Sequence, residues 1–111
     1  DAINKGETKY TAVDGTPALK NAIIDKFKKE NSLTYLSEQI SVGAGGKQVI
    51  FNAMLATINP GDEVIIPAPY WVSYPDIVLL AGGIPRIIKC SEKNQFKIMP
   101  IDLKKNINNK Y

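Results

Sequence analysis

The chain has 111 residues, room for one domain at most, and its 44% hydrophobic and 23% charged residues are globular proportions that exclude disordered, collagen-like and mucin-like readings. Fourteen basic against eleven acidic residues leave +3, carried by scattered Lys rather than a basic block, which argues against nucleic acid or a membrane surface as partner. With no His and one Cys, the chain holds no His-dependent triad, no Cys/His zinc site and no internal disulfide, and no apolar run approaches the ~20 residues of a membrane span; a reducing, cytoplasmic compartment fits.

Residues 1–6 read as the last turn of a helix closed by Gly6, and the polar run 104–111 stops without a terminating element, so both ends read as those of a segment of a longer protein. Thr16-Pro17 opens a helix, with a hydroxyl at the N-cap and Pro preset at the first helical position. Leu19, Ala22, Ile23 and Phe27 recur at helical spacing, with Lys20, Asp25, Lys26 and Lys29 largely opposite, which predicts an amphipathic surface helix ending near Asn31. Ile40-Ser41-Val42 is a short strand candidate, cut off by Gly43-Ala44-Gly45-Gly46. Residues 47–58 are apolar nearly all round, the mark of a helix buried in a larger body with neighbours this segment lacks, and Asn59-Pro60-Gly61-Asp62 turns the chain out of it. Val64-Ile65-Ile66 is a β-branched run suited to a strand covered on both faces, broken by Pro67-Ala68-Pro69. A helix from Tyr74-Pro75 to Ala81, closed by Gly82-Gly83, leads to a strand over residues 84–88, and Pro100 opens a last short helix through Leu103. Strand, helix, strand, helix, strand is the pattern of a parallel sheet with helices on its faces.

The chemistry-bearing candidates cluster beyond strand ends. Gly43-Ala44-Gly45-Gly46-Lys47-Gln48 lies between a strand and a helix, where glycines admit a close ligand and unpaired N–H groups favour an anion such as phosphate. It is not a Walker loop, which needs Gly where Ser41 stands and Ser or Thr where Gln48 stands, nor a dinucleotide fingerprint, which needs a third Gly at Gln48. The loop is therefore either a phosphate site or a plain turn from strand to helix. Trp71, in Tyr70-Trp71-Val72-Ser73-Tyr74, either stacks on a flat aromatic ligand or covers the sheet edge. Tyr10, on a polar loop, either donates its hydroxyl to a phosphate or packs on its own loop, and Cys90 reads as core filler rather than nucleophile.

Lys9-Tyr10-Thr11, Gly15-Thr16-Pro17-Ala18-Leu19-Lys20, Gly45-Gly46-Lys47-Gln48, Asn59-Pro60-Gly61-Asp62-Glu63-Val64, Pro67-Ala68-Pro69-Tyr70-Trp71-Val72-Ser73-Tyr74-Pro75 and Ala81-Gly82-Gly83 together resemble class I aminotransferases, in order and spacing, from Gly6 to about Leu103. The likeness is to the bacterial aspartate aminotransferase branch that carries Gly-Gly-Lys. The resemblance implies an α/β fold, the αβα three-layer large domain of a pyridoxal-phosphate-dependent transferase with mainly parallel strands, of which residues 1–111 would be an incomplete segment. It implies pyridoxal 5'-phosphate as cofactor, with Gly45, Gly46 and Lys47 at the phosphate, Trp71 on the pyridine ring and near the substrate carboxylate, and Tyr10 reaching the phosphate of a partner in a homodimer. Lys47 would also face the distal carboxylate of a dicarboxylic substrate. Amino-acid and 2-oxo-acid substrates follow, and no metal. None of the thirteen Lys matches the family's motif for the cofactor-bearing Lys, so no catalytic residue is expected in this segment and the 111 residues alone should be inert. Alternatives are an aminotransferase for aromatic or other amino acids, the aminotransferase-like ligand domain of a transcription regulator, or a phosphate-binding module without chemistry.

Overall fold

The computed structural model describes residues 1–107; the end of the polar run, 108–111, lies outside the described residues. The chain forms two compact units, Asp1–Val49 and the residues from Ile50 onward.

The first unit opens with the helical turn expected at residues 1–6. Gly6, at φ 72°, closes it, and the Gly6 and Glu7 N–H groups return to the Ile3 and Ala2 carbonyls at 3.0 Å each. The first helix, α1 (Pro17–Asn31), starts and stops where the sequence places it. Thr16 accepts from the Leu19 N–H at 3.4 Å, Ser32 ends the helix in the left-handed conformation, and Lys28 and Lys29 sit at the negative end of its dipole.

The burial of α1 keeps the expected faces at Ile23, Phe27, Asp25, Lys26 and Lys29 and departs from them at Leu19, Ala22 and Lys20. Leu19 is 46% exposed, and Ile23 and Phe27 are only half-buried. Lys20, expected on the solvent side, is the one buried residue of the helix. Its ammonium meets Asp14, and a paired cation on a long apolar stem can be buried where an unpaired one could not.

Ile40 is extended and buried, but Ile40-Ser41-Val42 is not a strand, because the sheet among the described residues has two strands, both in the second unit. The Val42 N–H donates instead to the Asp14 carbonyl at 3.0 Å. Extended backbone without a neighbour finds its acceptor in a loop.

The second helix, α2 (Gly46–Thr57), is left uncovered in this chain, as expected of a helix that would be buried only in a larger body. Its sequence is apolar nearly all round, yet none of its residues is buried, and Val49 and Leu55 are 46% and 51% exposed. Periodicity reports what a helix is suited to contact, and in the second unit only one side of α2 has such a neighbour. There Ile50 and Met54 line an apolar hollow of about 310 Å³ with Val64, Ile66, Tyr74 and Ile77.

Strand β1 (Glu63–Ala68), helix α3 (Ser73–Leu80) and strand β2 (Ile84–Lys89) make the expected parallel βαβ unit, in register from Glu63 opposite Ile84 to Ala68 opposite Lys89. Pro67 and Ala68 belong to β1 rather than breaking it; the strand ends at Pro69, since a Pro is tolerated in a strand paired on one side only. Gly82, at φ 86°, closes α3, with the Gly82 and Gly83 N–H groups on the Leu79 and Val78 carbonyls at 3.0 and 2.9 Å. Ile66, Ile77, Val78 and Ile88 form the buried centre, and buried Glu63 is paired across the strands with Arg86. Cys90 is half-buried, its N–H extending the β1 ladder to the Ala68 carbonyl at 2.8 Å. The last helix, α4 (Pro100–Asn106), starts at the expected Pro and runs one turn further than read.

Gly83 marks where α3 meets the start of β1. A Cβ there would lie 3.0 Å from Ile58 Cγ2 and Val78 Cγ1 and 3.2 Å from the Asp62 carbonyl oxygen. Gly83→Ala is expected to destabilise the fold by about 1–3 kcal/mol, the usual cost of overpacking, read from the shift of a urea denaturation midpoint.

Candidate functional site: an anion-binding turn and an aromatic cluster

The turn into α2 is built from the Asp14-Gly15 corner outward. The Gly15 N–H closes a tight turn on the Ala12 carbonyl at 3.1 Å, and Gly15 itself has φ 106°. A Cβ on Gly15 would lie 2.8 Å from Val42 Cγ2, so the bare backbone of the corner is pressed directly against Val42. The next residue is as tightly held. A Cβ on Gly43 would meet Val49 Cγ2 at 2.8 Å and Gln48 Oε1 at 3.2 Å.

Two N–H groups of the turn are used internally. The Ala44 N–H donates to Gln48 Oε1, a side chain reaching back from the first turn of α2, and the Gly45 N–H donates to the Gly43 carbonyl at 2.8 Å. The Gly46 N–H, at the first position of α2, donates to no acceptor among the described residues. This is the orphan donor that every helix start presents.

Gly45 and Gly46 are glycines for different reasons. Gly45 has φ 106°, a conformation side chains avoid. Gly46 lies outside that region, and a Cβ on it would meet nothing within 4 Å. The fold therefore does not require Gly at 46. What its absent side chain provides is open approach to a backbone donor at the positive end of a helix, the physical condition for holding an anion. Lys47 follows on the same turn with an exposed side chain.

The aromatic cluster belongs to the second unit. Trp71 lies three residues beyond the carboxyl end of β1, 43% exposed, its ring edge-on to Tyr74 with centroids 5.6 Å apart and planes at 84°. Tyr74 in turn lines the apolar hollow under α3, so a half-buried ring supports Trp71. Tyr10 is fully exposed and does not pack on its own loop. Among the described residues no group of three His, Cys, Asp or Glu converges to hold a metal, and no helix is long and apolar enough to cross a membrane.

The sequence reading named Gly45, Gly46, Lys47, Trp71 and Tyr10 but missed Asp14, Lys20 and Gln48, which shape the turn. The available signal was Asp14-Gly15 just before the Thr16 cap, with a Lys at the fourth position after that cap. A further signal was its spacing, since Lys20 shares the i, i+3, i+4, i+7 stripe with Ile23, Ile24 and Phe27.

Among known proteins, the whole chain, residues 1–111, matches the family described as aminotransferase class I and II. The chain belongs to that family. It is 61% identical over 102 residues to the aspartate/prephenate aminotransferase of Cereibacter sphaeroides, covering 92% of this chain and 26% of that protein, so it spans about a quarter of that relative's length. The crystal structure of the aspartate aminotransferase of Rhizobium meliloti superposes with a TM-score of 0.93 at 52% identity, over 99% of this chain and 28% of that one. An aromatic aminotransferase of Pyrococcus horikoshii superposes with a TM-score of 0.92 at 35% identity, over 98% of this chain and 30% of that one. The fold class is thus that of the aspartate aminotransferases.

The Asp14 carboxyl is held below its ordinary value of 3.8, first by the hydrogen bond from Lys20, then by a backbone hydrogen bond and the Lys20 charge. A carboxylate with a depressed folded value contributes stability that is fully present above the unfolded value and is lost as pH falls through the folded one. Wild type is therefore expected to exceed Asp14→Asn in stability at neutral pH, with the gap closing only below pH 3.8, as read by thermal melts across an acid series.

Proposed function

We propose that residues 1–111 are part of the cofactor-binding large domain of an aspartate-type aminotransferase, a homodimeric, cytoplasmic enzyme that moves an amino group from aspartate or a similar amino acid to a 2-oxo acid. The observation that carries this reading is Gly46, a glycine that neither backbone conformation nor a protein neighbour requires, with its N–H open at the start of a helix. Members of the family use pyridoxal 5'-phosphate, which when bound supplies an electron sink for carbanion chemistry at the amino-acid α-carbon. The donors present fit its phosphate: Gly45 and Gly46 admit the anion to the backbone, and the helix dipole of α2 favours its charge.

Trp71, supported by Tyr74, offers a flat face for the pyridine ring and orients it. Tyr10 would reach a partner subunit's phosphate, a reading supported by its full exposure on its own loop. Lys47 has two tasks, a backbone N–H toward the phosphate and an ammonium toward the distal carboxylate of a dicarboxylic substrate. The name of the Cereibacter sphaeroides relative pairs aspartate with prephenate, which makes prephenate the first 2-oxo acid to assay.

Two substitutions in the parent enzyme test the assignment. Gly46→Ala should leave the fold intact, since Ala is the better helix former, yet raise the dissociation constant for pyridoxal phosphate by about tenfold, the scale of one charged hydrogen bond. Unchanged cofactor affinity would remove the phosphate from this turn. Lys47→Ala should lower kcat/KM for aspartate by about tenfold to a hundredfold and leave neutral amino donors nearly unaffected, because only the distal carboxylate loses its partner. Equal losses for aspartate and a neutral donor would confine Lys47 to the cofactor.

A further inference from the structure

We propose that Asp14 and Lys20 are positioning residues for the anion-binding turn, forming a clasp that holds Val42, and through it residues 43–46, at the start of α2. The inference rests on the reading of that turn as a phosphate site. Its own grounds are geometric and lie wholly within the first unit.

Lys20 comes up from α1 with its side chain 8% exposed, and its ammonium is paired with Asp14 Oδ2. The carboxylate contact leaves the Asp14 backbone carbonyl available, and that carbonyl accepts the Val42 N–H at 3.0 Å. At the same corner a Cβ on Gly15 would lie 2.8 Å from Val42 Cγ2, so Gly15 and Val42 are in direct contact, while Lys20 Cγ stands an ordinary 3.8 Å from that position. From Val42 the constraint passes directly into the turn. Gly43 is wedged against Val49 and Gln48, and Gln48 holds the Ala44 N–H. Each link is a hydrogen bond or a contact too close to admit a methyl group, so a shift at Asp14 displaces the donors that follow.

The buried ammonium explains why a charged pair stands here. Packing alone could be met by Leu or Met at position 20, and a buried ion pair often adds little net stability over an apolar replacement. What an apolar side chain could not do is grip the Asp14 carboxylate and so fix the orientation of the peptide whose carbonyl holds Val42. The pair's contribution is thus directional. Its loss should be read in the precision of the turn more than in the melting temperature.

The test uses the parent enzyme freed of cofactor and compares binding of pyridoxal phosphate with binding of pyridoxal, which lacks the phosphate, in wild type, Asp14→Asn, Lys20→Met and Lys20→Arg. Absorbance titration gives the ratio of the two dissociation constants. The clasp predicts a ratio lowered by about tenfold in Asp14→Asn and in Lys20→Met, with pyridoxal affinity itself unchanged, and recovered to within about twofold of wild type in Lys20→Arg, which restores the cation. Lys20→Met keeps the packing, so this readout does not depend on a variant that fails to fold. A high wild-type ratio that persists in Asp14→Asn and Lys20→Met overturns the clasp and leaves the phosphate site standing. Equal weakening of both ligands also overturns it, by showing a general structural role. A wild-type ratio near one overturns the phosphate reading, and the clasp with it.

Discussion

The first turn of an α-helix carries N–H groups that its own carbonyls cannot reach, and in this chain that constraint falls on a turn from which side chains have been withdrawn. Gln48 satisfies the Ala44 donor and the Gly43 carbonyl satisfies Gly45, which leaves the Gly46 N–H facing outward at the positive end of α2. The corner at Asp14-Gly15 sets where the turn begins, and Gly43 allows it to lie against α2 without a methyl group between them. The aromatic cluster lies between the end of β1 and the start of α3 a few residues later, with Tyr74 supporting Trp71. Open α/β folds gather ligands beyond the carboxyl ends of their strands.

Local punctuation was legible in the sequence because it follows from single-residue chemistry. Thr16-Pro17 starts α1, Gly82 closes α3 and Pro100 starts α4, each where its conformational preference dictates. The parallel pairing of β1 and β2 followed from the alternation of patterns. Gly45, Gly46 and Trp71 were legible as candidates because glycine before a helix admits an anion and an aromatic after a strand can stack on a flat ligand, though a plain turn and a sheet-edge cover use the same residues.

What escaped the reading depends on partners distant in sequence. Ile40-Ser41-Val42 has the composition of a strand, but a strand is a pairing, and the Val42 N–H is taken by Asp14. Lys20 stands three, four and seven residues before Ile23, Ile24 and Phe27, on the more covered stripe of α1, but its charge reads as solvent-facing, and the carboxylate six residues earlier is what allows its burial. The fold also separates from amino-acid preference. Its backbone superposes about equally well on an aspartate and an aromatic aminotransferase, so the frame alone does not discriminate between the two.

The central claim is that the backbone donor at Gly46 receives a phosphate. The most direct measurement is the amide resonance of Gly46 in the parent enzyme, followed by NMR as pyridoxal phosphate and then pyridoxal are added. The account predicts a large downfield shift of the Gly46 proton with pyridoxal phosphate and little change with pyridoxal, since a hydrogen bond to a charged acceptor forms only with the first. A Gly46 resonance that responds identically to both ligands, or to neither, would contradict it.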